Sequence, residues 1–512
     1  MNDARAAFAT GPVALLCLVQ LALWVLSSGP LAYGYMSDEM YYLDCADRLA
    51  WGYVDHPPFS LLLLAGVRAL LGDSLLALHL LPALATCLDF GLVALLAREL
   101  GGGRVAQALA ALAVLAAPVH QGIAGFYSMN ALEPALWSGA LLLLARIANG
   151  ASPRLWLVLG GLLGVGLLNK ISVLWLGAGL AVGLLATPAR RWLATPWPWA
   201  CAAIAALLFA PHLFWQAANG WPTLEFMRNA TSQKMLAKTP LDFAGEQILT
   251  MGPLAAPLWL AGLGWYFLTP DGRRQQLLAW VWIVVIALLV ASGSARANYA
   301  APAYAGLLAA GGVAVERGCR RGARRWPAGV FAAGLGLSGL ALLPLATPLL
   351  PPERLIDYAR ALGVEAPRQQ VGETADLPIH LALRFGWPEL IDAVTRAQSE
   401  LSPGERAQAV VLAPSFGVAG ALRFLGRGHG LPPVISGHNN YFLWGRGDAG
   451  GEVLIAVADD ASDLEWAYER VERVAEIDCR HCESELARRA VFVCRGLRVP
   501  FESFWARSRR FI

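Results

Sequence analysis

Acidic and histidine side chains gather in the segment that follows the first long apolar run of the chain. Asp38 and Glu39 are adjacent there, and His56 follows in an aromatic-rich stretch that continues with Pro57 and Pro58. A positioned carboxylate or imidazole can accept a proton from an attacking hydroxyl group, so these residue types indicate an acid–base step. A solvated loop with an incidental pair of acids would show the same pattern, and the pair alone does not separate the two interpretations.

Further polar side chains occur at the ends of later apolar runs that return to the same side. They are Asn130, Glu133, Lys170, Arg296 and Tyr299. Glu133 precedes Pro134, which suits the first turn of a helix, so its alternative role is to complement the positive end of that helix. Lys170 interrupts an apolar stretch, where an ammonium group either snorkels toward water or meets an anion. Together these groups predict a site for acid–base chemistry on a substrate that bears a phosphate.

The composition requires a membrane environment for much of the chain. Of its 512 residues 57% are hydrophobic and 15% are charged, with a mean hydropathy of +0.50. A soluble domain has roughly 45–50% apolar and about 25% charged residues, so this chain has too few polar side chains to cover a water-exposed surface. The excess lies before residue 350, which predicts a transmembrane domain over 1–349 and a domain outside the membrane over 350–512. We interpret the first apolar run as a retained span, since it lacks a clear cleavage site.

Apolar runs of about 20 residues, enough to cross the hydrocarbon core, recur along the transmembrane part. They are 11–32, 76–98, 105–124, 131–148, 197–215, 250–269, 276–292, 298–315 and 327–349. The stretch 155–187 is too long for one straight helix and is apolar except for Asn169 and Lys170, so we predict two shorter helices that meet at this pair. The mainly helical, polytopic fold then has about eleven crossings.

Basic residues fall on alternate loops, which predicts the orientation of the chain. They are Arg98, Arg104, Arg146, Arg154, Arg190, Arg191, Arg273, Arg274, Arg317, Arg320, Arg321, Arg324 and Arg325. Short loops rich in Lys and Arg stay in the cytoplasm. An odd number of crossings from an inside N-terminus then places residues 350–512 outside, on the same side as the long loops 33–75 and 216–249.

Taken in order, these features resemble a known family. The acid pair after the first span, the turn at His56, the Leu-Leu-Gly-Asp-Ser sequence at 70–74, Asn169-Lys170 and the segment that begins at Arg296 resemble GT-C glycosyltransferases. The resemblance is to the protein mannosyltransferase and lipid A aminoarabinose transferase type, over about residues 10–345. It implies the GT-C fold and transfer of a sugar from a polyprenyl-phosphate carrier to an acceptor at the non-cytoplasmic face.

The resemblance also implies roles for particular residues. Asp38 would be the general base that deprotonates the acceptor, Glu39 its neighbour in the site, and His56 part of the matching turn. Lys170 and Arg296 would hold the donor phosphate, with Tyr299 close by. Relatives commonly carry an aspartate in the third-to-fourth span region, where this chain offers Asn130 and Glu133. That departure leaves the second acidic position open.

The expected enzyme is an inverting hexosyl- or pentosyltransferase of the bacterial inner membrane, with its C-terminal domain in the periplasm. Its expected partners are a lipid-linked sugar donor, a glycolipid, glycan or protein acceptor, and membrane lipids, but no nucleic acid. The sequence requires no cofactor. Whether the protein binds a divalent metal is left open. Some relatives bind one, but no cluster with metal-ligand spacing is evident in this sequence.

The part of the chain after residue 350 predicts a small α/β domain. Apolar runs at Ala409–Leu412 and Val453–Ala458 alternate with helical patterns near 418–425 and 462–475. The segment 432–445 is dense in aromatic and hydrogen-bonding groups and is either a ligand-binding loop or a packed turn.

Three cysteines of this domain, Cys479, Cys482 and Cys494, allow a redox pair, a zinc half-site or a disulfide. A disulfide is favoured outside the cytoplasm, either between Cys479 and Cys482 or through Cys494.

Two other functions are compatible with a polytopic chain. A lipid or sugar transporter or flippase would typically show internal repeats and polar residues at the bilayer midplane. No repeat is evident, and the polar residues cluster at the outer rim. A membrane scaffold would leave Asp38, Glu39 and Lys170 unexplained.

Overall fold

The computed structural model describes residues 6–322, 326–364 and 375–512. Arg324 and Arg325 of the predicted basic cluster lie outside the described residues. The first helices are α1 (Thr10–Ser28), α2 (Ser37–Ala46), α3 (Phe59–Leu71), α4 (Leu75–Glu99), α5 (Arg104–Ala116), α6 (Pro118–Ala124), α7 (Met129–Ala148), α8 (Leu155–Asn169), α9 (Val173–Ala186) and α10 (Trp197–Ala218).

The helical part continues to residue 361. Its later helices are α11 (Pro222–Asn229), α12 (Pro240–Met251), α13 (Ala256–Leu268), α14 (Pro270–Arg274), α15 (Gln276–Ala291), α16 (Ala305–Arg321), α17 (Trp326–Ala346) and α18 (Pro352–Ala361). Short 3₁₀ segments at Pro188–Ala194, Pro253–Ala255 and Ala297–Tyr304, and a π turn at Ala230–Lys234, connect them. The boundary predicted at residues 349 and 350 falls between α17 and α18 and stays a prediction.

Several of these helices are long and apolar enough to cross a membrane. Within the described ranges they are α1, α4, α7, α10 and α17, which makes five, or eight if each of three bent helix pairs forms one span. The helices α3, α8 and α15 are apolar but shorter. The mainly helical, polytopic fold class is confirmed, whereas the count of about eleven crossings stays a prediction.

The polar pair at 169–170 interrupts a long apolar stretch as predicted. α8 ends at Asn169, Lys170 has extended backbone, and α9 begins at Val173. The loop predicted at 33–75 is more ordered than the sequence indicated, because it contains α2 and α3. Nine of the ten residues of α2 are buried, so this helix is packed into the molecule and does not lie free in solvent.

The basic residues lie at the end of the bundle remote from the predicted site. α7 has 20 residues, so its ends are about 30 Å apart. Glu133 is near its start, and Arg146 is in its last turn, 3.7 Å from Glu99 of α4. Glu316 at the end of α16 accepts a hydrogen bond from the Gly103 N–H at 2.6 Å, which brings the basic turn of α16 to the same end. That this end faces the cytoplasm stays a prediction.

The C-terminal part forms a five-stranded mixed sheet in the order β2-β1-β3-β5-β4. Its strands are β1 (Ala409–Leu412), β2 (Val434–Ile435), β3 (Val453–Ala458), β4 (Tyr468–Glu476) and β5 (Ala490–Leu497). Its helices are α19 (Ile379–Ala382), α20 (Trp387–Ser399), α21 (Pro403–Gln408), α22 (Phe416–Phe424), α23 (Asn440–Trp444), α24 (Ser462–Glu465), α25 (Ser484–Ala487) and α26 (Phe501–Ser508). The small α/β domain is therefore confirmed.

The helical pattern predicted at 462–475 is wrong for most of its length. Only Ser462–Glu465 is helical, and Tyr468–Glu476 forms the edge strand β4. The alternating charges of this strand resemble those of a solvated helix, but antiparallel pairing with β5 satisfies its backbone, and strand preference depends on such neighbours.

The alternatives for the cysteines are also decided. Cys479 is bonded to Cys482, and Cys494 is a buried free thiol in β5.

Candidate active site

The first turn of α2 presents the acid pair, and two distant segments hold that turn in place. The Ser37 N–H donates to the Leu383 carbonyl at 3.1 Å, and the Trp387 indole donates to the Tyr35 carbonyl at 3.1 Å. The Glu39 side chain reaches back to the Met36 N–H at 2.8 Å. An acid in this position complements the helix dipole. The start of α2 is thus clamped by the segment between α19 and α20.

Glu39 is fully engaged in holding three elements together. Its Oε1 lies 2.6 Å from Nε2 of His79 on α4 and accepts the Tyr127 N–H, before α7, at 2.8 Å. Burial alone would raise the pKa of Glu39, but the charge and hydrogen bond of His79, the charge of Arg384 and the Tyr127 N–H together lower it. Glu39 therefore stays ionised and orients the turn that carries Asp38. Its predicted role was that of a neighbour of the base in the site.

His79 also contacts Ser28 of α1, with Nδ1 2.7 Å from the Ser28 hydroxyl oxygen. The order Ser28, His79, Glu39 resembles the arrangement of a nucleophilic serine with its base. Beside Ser28 lies a cavity of about 10 Å³, room for about one water molecule. Because all three side chains are buried, we interpret them as a structural network.

Asp38 differs from Glu39 in having almost no partner. Within the described part of the chain its carboxylate makes no ion pair, and its side-chain hydrogen bond comes from the Ser37 hydroxyl at 3.4 Å. Burial raises the pKa of Asp38 above its ordinary value of 3.8, partly opposed by the charges of Lys234 and Arg296 and assisted by that of Asp55. A half-buried carboxylate with few hydrogen-bond partners is suited to accept a proton.

The charges of two cations from distant parts of the chain act on Asp38. Lys234 ends the π turn after α11, and Arg296 precedes the 3₁₀ segment Ala297–Tyr304. Neither side chain forms an ion pair with any residue that the structure describes, and the Nε of Arg296 is buried without a hydrogen-bond partner. Burial and the neighbouring Arg296 charge lower the pKa of Lys234. Two neighbouring cations without a carboxylate partner favour the binding of an anion. A phosphate group offers several oxygens that accept hydrogen bonds from them.

Lys170, predicted to hold the donor phosphate, already has a carboxylate partner. Its Nζ lies 2.6 Å from Oε2 of Glu133, both side chains are buried, and Ser172 donates to the other carboxylate oxygen. The ammonium also lies 5.0 Å from the centre of the Tyr299 ring. Asn130 bonds locally to Ser128 at 3.2 Å. A role for these residues in substrate binding stays a prediction, and in this structure the Lys170 charge is neutralised.

Removal of Lys170 is therefore expected to affect stability first. Lys170→Met should destabilise the protein by about 3–5 kcal/mol, because the buried Glu133 carboxylate would lose its counter-charge. Thermal unfolding in detergent measures this, and the double variant with Glu133→Gln should recover most of the loss. Arg360→Met is the control, since its pair with Asp357 is exposed and is worth less than about 1 kcal/mol. If Lys170→Met unfolded at the same temperature as the wild type but lost binding of the lipid carrier, Lys170 would serve substrate binding instead.

His56 is buried in an aromatic cage and is held by packing. Its ring lies 4.7 Å from that of Tyr42 and 4.8 Å from that of Tyr53. Neither ring nitrogen has a hydrogen-bond partner in the described chain, although Nε2 lies 3.7 Å from Asp55. Burial lowers the pKa of His56, so the imidazole is neutral. The turn that carries it thereby places Asp55 next to the site.

Asp55 and Lys234 are the site residues that the sequence analysis missed. Asp55 accepts from the Tyr41 hydroxyl at 2.9 Å and from the Asn439 amide at 3.2 Å, and its charge acts on Asp38. Its position before the His56 turn was a signal that the sequence contained. Lys234 lies in a polar loop without a distinguishing motif, so only its position in space reveals it.

An apolar cavity of about 370 Å³ lies between α3, α4, α7 and α8. Its lining residues include Phe59, which follows the His56 turn, and Leu132, which precedes Glu133, and it extends along α7 to Leu143. Other lining residues are Leu63, Ala85, Leu88, Leu92, Ala135, Leu136, Gly139, Leu142 and Leu162. The cavity is therefore lined by residues adjacent in sequence to the His56 turn and to Glu133.

No group of three or more His, Cys, Asp or Glu side chains in the described ranges is placed to hold a metal ion. We therefore assign no residue to a metal, and metal dependence stays open.

The chain is similar to known proteins. Residues 55–215 match the family model described as dolichyl-phosphate-mannose-protein mannosyltransferase. The chain is 25% identical over 364 residues to lipid A galacturonosyltransferase RgtD of Rhizobium johnstonii, which covers 68% of this chain and 73% of the relative.

Two solved structures share the architecture. ArnT from Cupriavidus metallidurans bound to undecaprenyl phosphate gives a TM-score of 0.59 at 18% identity, over 94% of this chain and 98% of that chain. Archaeal oligosaccharyltransferase AglB from Archaeoglobus fulgidus, in complex with an inhibitory peptide and a dolichol-phosphate, gives 0.50 at 13% identity, over 83% and 64%.

These likenesses show the GT-C fold, and the family model and RgtD make the chain similar to membrane glycosyltransferases. Within that class, the resemblance to the protein mannosyltransferase and lipid A aminoarabinose transferase type is confirmed. The transporter or flippase alternative is not favoured.

Proposed function

We propose that this protein transfers a sugar, with inversion, from a polyprenyl-phosphate carrier to an acceptor at the non-cytoplasmic face of a bacterial inner membrane. The observation that carries the proposal is the half-buried, nearly unpartnered carboxylate of Asp38, on which the charges of Lys234 and Arg296 act. A base and a phosphate-binding pair are the two functions that this reaction requires.

In the proposed reaction Asp38 takes the proton of an acceptor hydroxyl as its oxygen attacks the anomeric carbon. The new bond joins that oxygen to the sugar, and the bond between the anomeric carbon and the phosphate oxygen breaks. The electron pair leaves with the lipid phosphate, whose added charge Lys234 and Arg296 stabilise. Attack and departure on opposite faces invert the anomeric centre.

The nature of the carrier and acceptor is inferred from the relatives. ArnT binds undecaprenyl phosphate, and RgtD is named for the transfer of galacturonic acid to lipid A. We therefore infer a polyprenyl-phosphate sugar as donor and a glycolipid as the first acceptor to test, ahead of a glycan or a protein. The sugar is a hexosyl or pentosyl group.

The apolar cavity supports a lipid substrate, because its lining offers nothing polar to a sugar. Gly139 lines the cavity, and a Cβ added there would approach Leu162 to 3.1 Å. Gly139→Phe should fill the cavity and raise the KM for the lipid substrate roughly tenfold. This is the effect expected if the lipid chain buries about two fewer CH₂ groups. Gly161→Phe on α8 is the control, since no atom lies within 4 Å of its Cβ position. Equal KM values for both variants would show that no lipid chain enters the cavity.

The direct test uses full-length protein in nanodiscs. Undecaprenyl phosphate carrying galacturonic acid, aminoarabinose or mannose is supplied separately with lipid A, and free undecaprenyl phosphate and glycosylated lipid A are quantified. We expect turnover of one donor, and nuclear magnetic resonance of the product should show the opposite anomeric configuration. Retained configuration would exclude direct attack assisted by Asp38. Passage of intact donor across the bilayer without sugar transfer would instead support a flippase.

A further inference from the structure

One loop of the C-terminal domain reaches into the candidate site. It comprises residues 436–444, within the segment that the sequence left as either a ligand-binding loop or a packed turn. The Asn440 side chain accepts the Val54 N–H at 2.6 Å, and the Tyr441 hydroxyl donates to Asp44 at 2.5 Å. The loop is therefore packed against α2 and the 53–56 turn, the two segments that carry Asp38 and Asp55.

Asn439 makes the contact of this loop that is closest to the chemistry. Its side chain is fully buried, and its amide Nδ2 donates to Oδ2 of Asp55 at 3.2 Å. The other oxygen of Asp55 accepts from the Tyr41 hydroxyl at 2.9 Å. Two donors from different domains thus hold one carboxylate in a single orientation.

The backbone of Asn439 is strained, and a second segment holds it. Its φ of +47° lies in the left-handed region, which residues other than glycine adopt at a cost of roughly 1–3 kcal/mol when the surroundings enforce it. The Asn439 N–H donates to the Arg510 carbonyl at 2.9 Å, and its Oδ1 accepts the Ile512 N–H at 3.1 Å. Residues 510–512 therefore fix both the backbone and the amide orientation, so that Nδ2 must point at Asp55.

The same segment ties the loop to the helical part of the chain. Asn229 of α11 donates to the Phe511 carbonyl at 2.8 Å, and His438 Nε2 lies 2.8 Å from the Ile512 backbone oxygen. Because α11 leads into the turn that ends at Lys234, residues 510–512 connect the loop on Asp55 with the element that carries one of the two free cations.

We propose that Asn439 is a positioning residue of the transfer reaction, through which the C-terminal domain fixes Asp55 beside the general base. The inference rests on the proposed function. Asn439 does not contact the reacting atoms and acts through Asp55. The role it gives the C-terminal domain is to complete the active site, so that sugar transfer requires the two domains to be docked.

Three variants of one side chain separate this role from a structural one. Asn439→Gly removes the amide but accepts the left-handed backbone, and Asn439→Ala removes the amide and adds strain. Asn439→Asp keeps the size and the acceptor for Ile512 but replaces the donor with an oxygen that repels Asp55. Gln398→Ala is the matched control, because it removes one hydrogen bond, to the Gly430 carbonyl at 2.8 Å, elsewhere in the same domain.

The full-length variants are assayed in nanodiscs with the donor that the wild type turns over. We expect kcat to fall about 10-fold for Asn439→Gly and about 100-fold for Asn439→Asp, since displacement of a site group by about 1 Å has effects of that size. The KM for the donor should change by less than about threefold, because no binding contact is lost. Wild-type kcat for Asn439→Gly or Asn439→Asp would overturn the proposal, and so would a change confined to KM.

Hydrogen exchange of the peptide that spans residues 53–59 supplies a readout that does not need activity. Asn439→Asp should speed its exchange relative to both the wild type and Gln398→Ala. If the wild type turns over no donor, the proposed function has failed, and the exchange then decides whether Asn439 holds the Asp55 turn. Unchanged exchange in Asn439→Asp would refute the contact itself.

Discussion

Asp38→Asn is expected to slow sugar transfer severely while the protein stays folded and still binds undecaprenyl phosphate. The amide has the shape of the carboxylate but cannot take the acceptor proton, and loss of a general base costs about 100- to 10,000-fold in rate. The reduction should appear in kcat, because binding of the carrier depends on Lys234 and Arg296. Single-turnover release of undecaprenyl phosphate from a labelled donor measures it.

Two further variants show whether the carboxylate acts as a base. Asp38→Glu keeps a base in a displaced position and should retain partial activity. Asp47→Asn is the matched control at the other end of α2, where the carboxylate is exposed and paired with Arg68 at 2.7 Å. Transfer by Asp38→Asn at the wild-type rate would remove Asp38 from the mechanism.

The pH dependence of the wild type should report the same group. Burial raises the pKa of Asp38 above 3.8, and Asp55 adds to this, whereas Lys234 and Arg296 oppose it. Since the base must be ionised, kcat/KM should fall with decreasing pH as this raised pKa is passed, at a higher pH than an exposed aspartate would give. The acidic limb should be absent from the residual activity of Asp38→Asn.

Lys234→Met and Arg296→Gln are each expected to weaken binding of undecaprenyl phosphate by about 10- to 100-fold. A hydrogen bond to a charged group is worth about 1.5–3 kcal/mol, which corresponds to that range of Kd. Neither cation has a carboxylate partner among the residues described, so its removal leaves no buried charge unpaired and the fold should survive. Binding of tritiated undecaprenyl phosphate to the protein in nanodiscs measures the effect.

The control for this prediction lies in the same loop. Lys238 is four residues beyond Lys234 but is already paired with Glu246 at 2.6 Å, so Lys238→Met should leave binding unchanged. If Lys238→Met weakened binding as much as Lys234→Met, the effect would come from general surface charge and not from a site. Added salt should weaken wild-type binding less than it would at a fully exposed site, because Lys234 and Arg296 are partly buried.

Much of the fold could be predicted from local sequence. An apolar run of about 20 residues forms a helix across a bilayer largely independently of the rest of the chain, because its backbone must satisfy its hydrogen bonds within the segment. The break at Asn169 and Lys170 followed from length and polarity alone. By contrast, the sequence predicted a helix where β4 lies. Its charged residues form a strand because β5 pairs with it, and that pairing is not evident from the local sequence.

The proposed base was also a prediction from the sequence, because the acid pair after the first span is part of the family resemblance that implies Asp38. Which acid is free was a matter of tertiary structure. Glu39 and Asp38 are neighbours, yet His79, forty residues further along the chain, engages only Glu39. A helix turns its consecutive side chains to different faces, so two adjacent carboxylates meet different partners.

The sequence by itself determined that this protein is a polytopic membrane protein with acid–base groups gathered beyond its first span, since composition and local order suffice for both conclusions. Only the tertiary structure decided which charges are available for chemistry. Lys170 is neutralised by Glu133, 37 residues away, whereas Lys234 and Arg296 form no ion pair with any residue in the described ranges. Asp55 is held by Asn439 across 384 residues. The physical reason is that pairing and burial depend on distance in space, which separation along the chain does not specify.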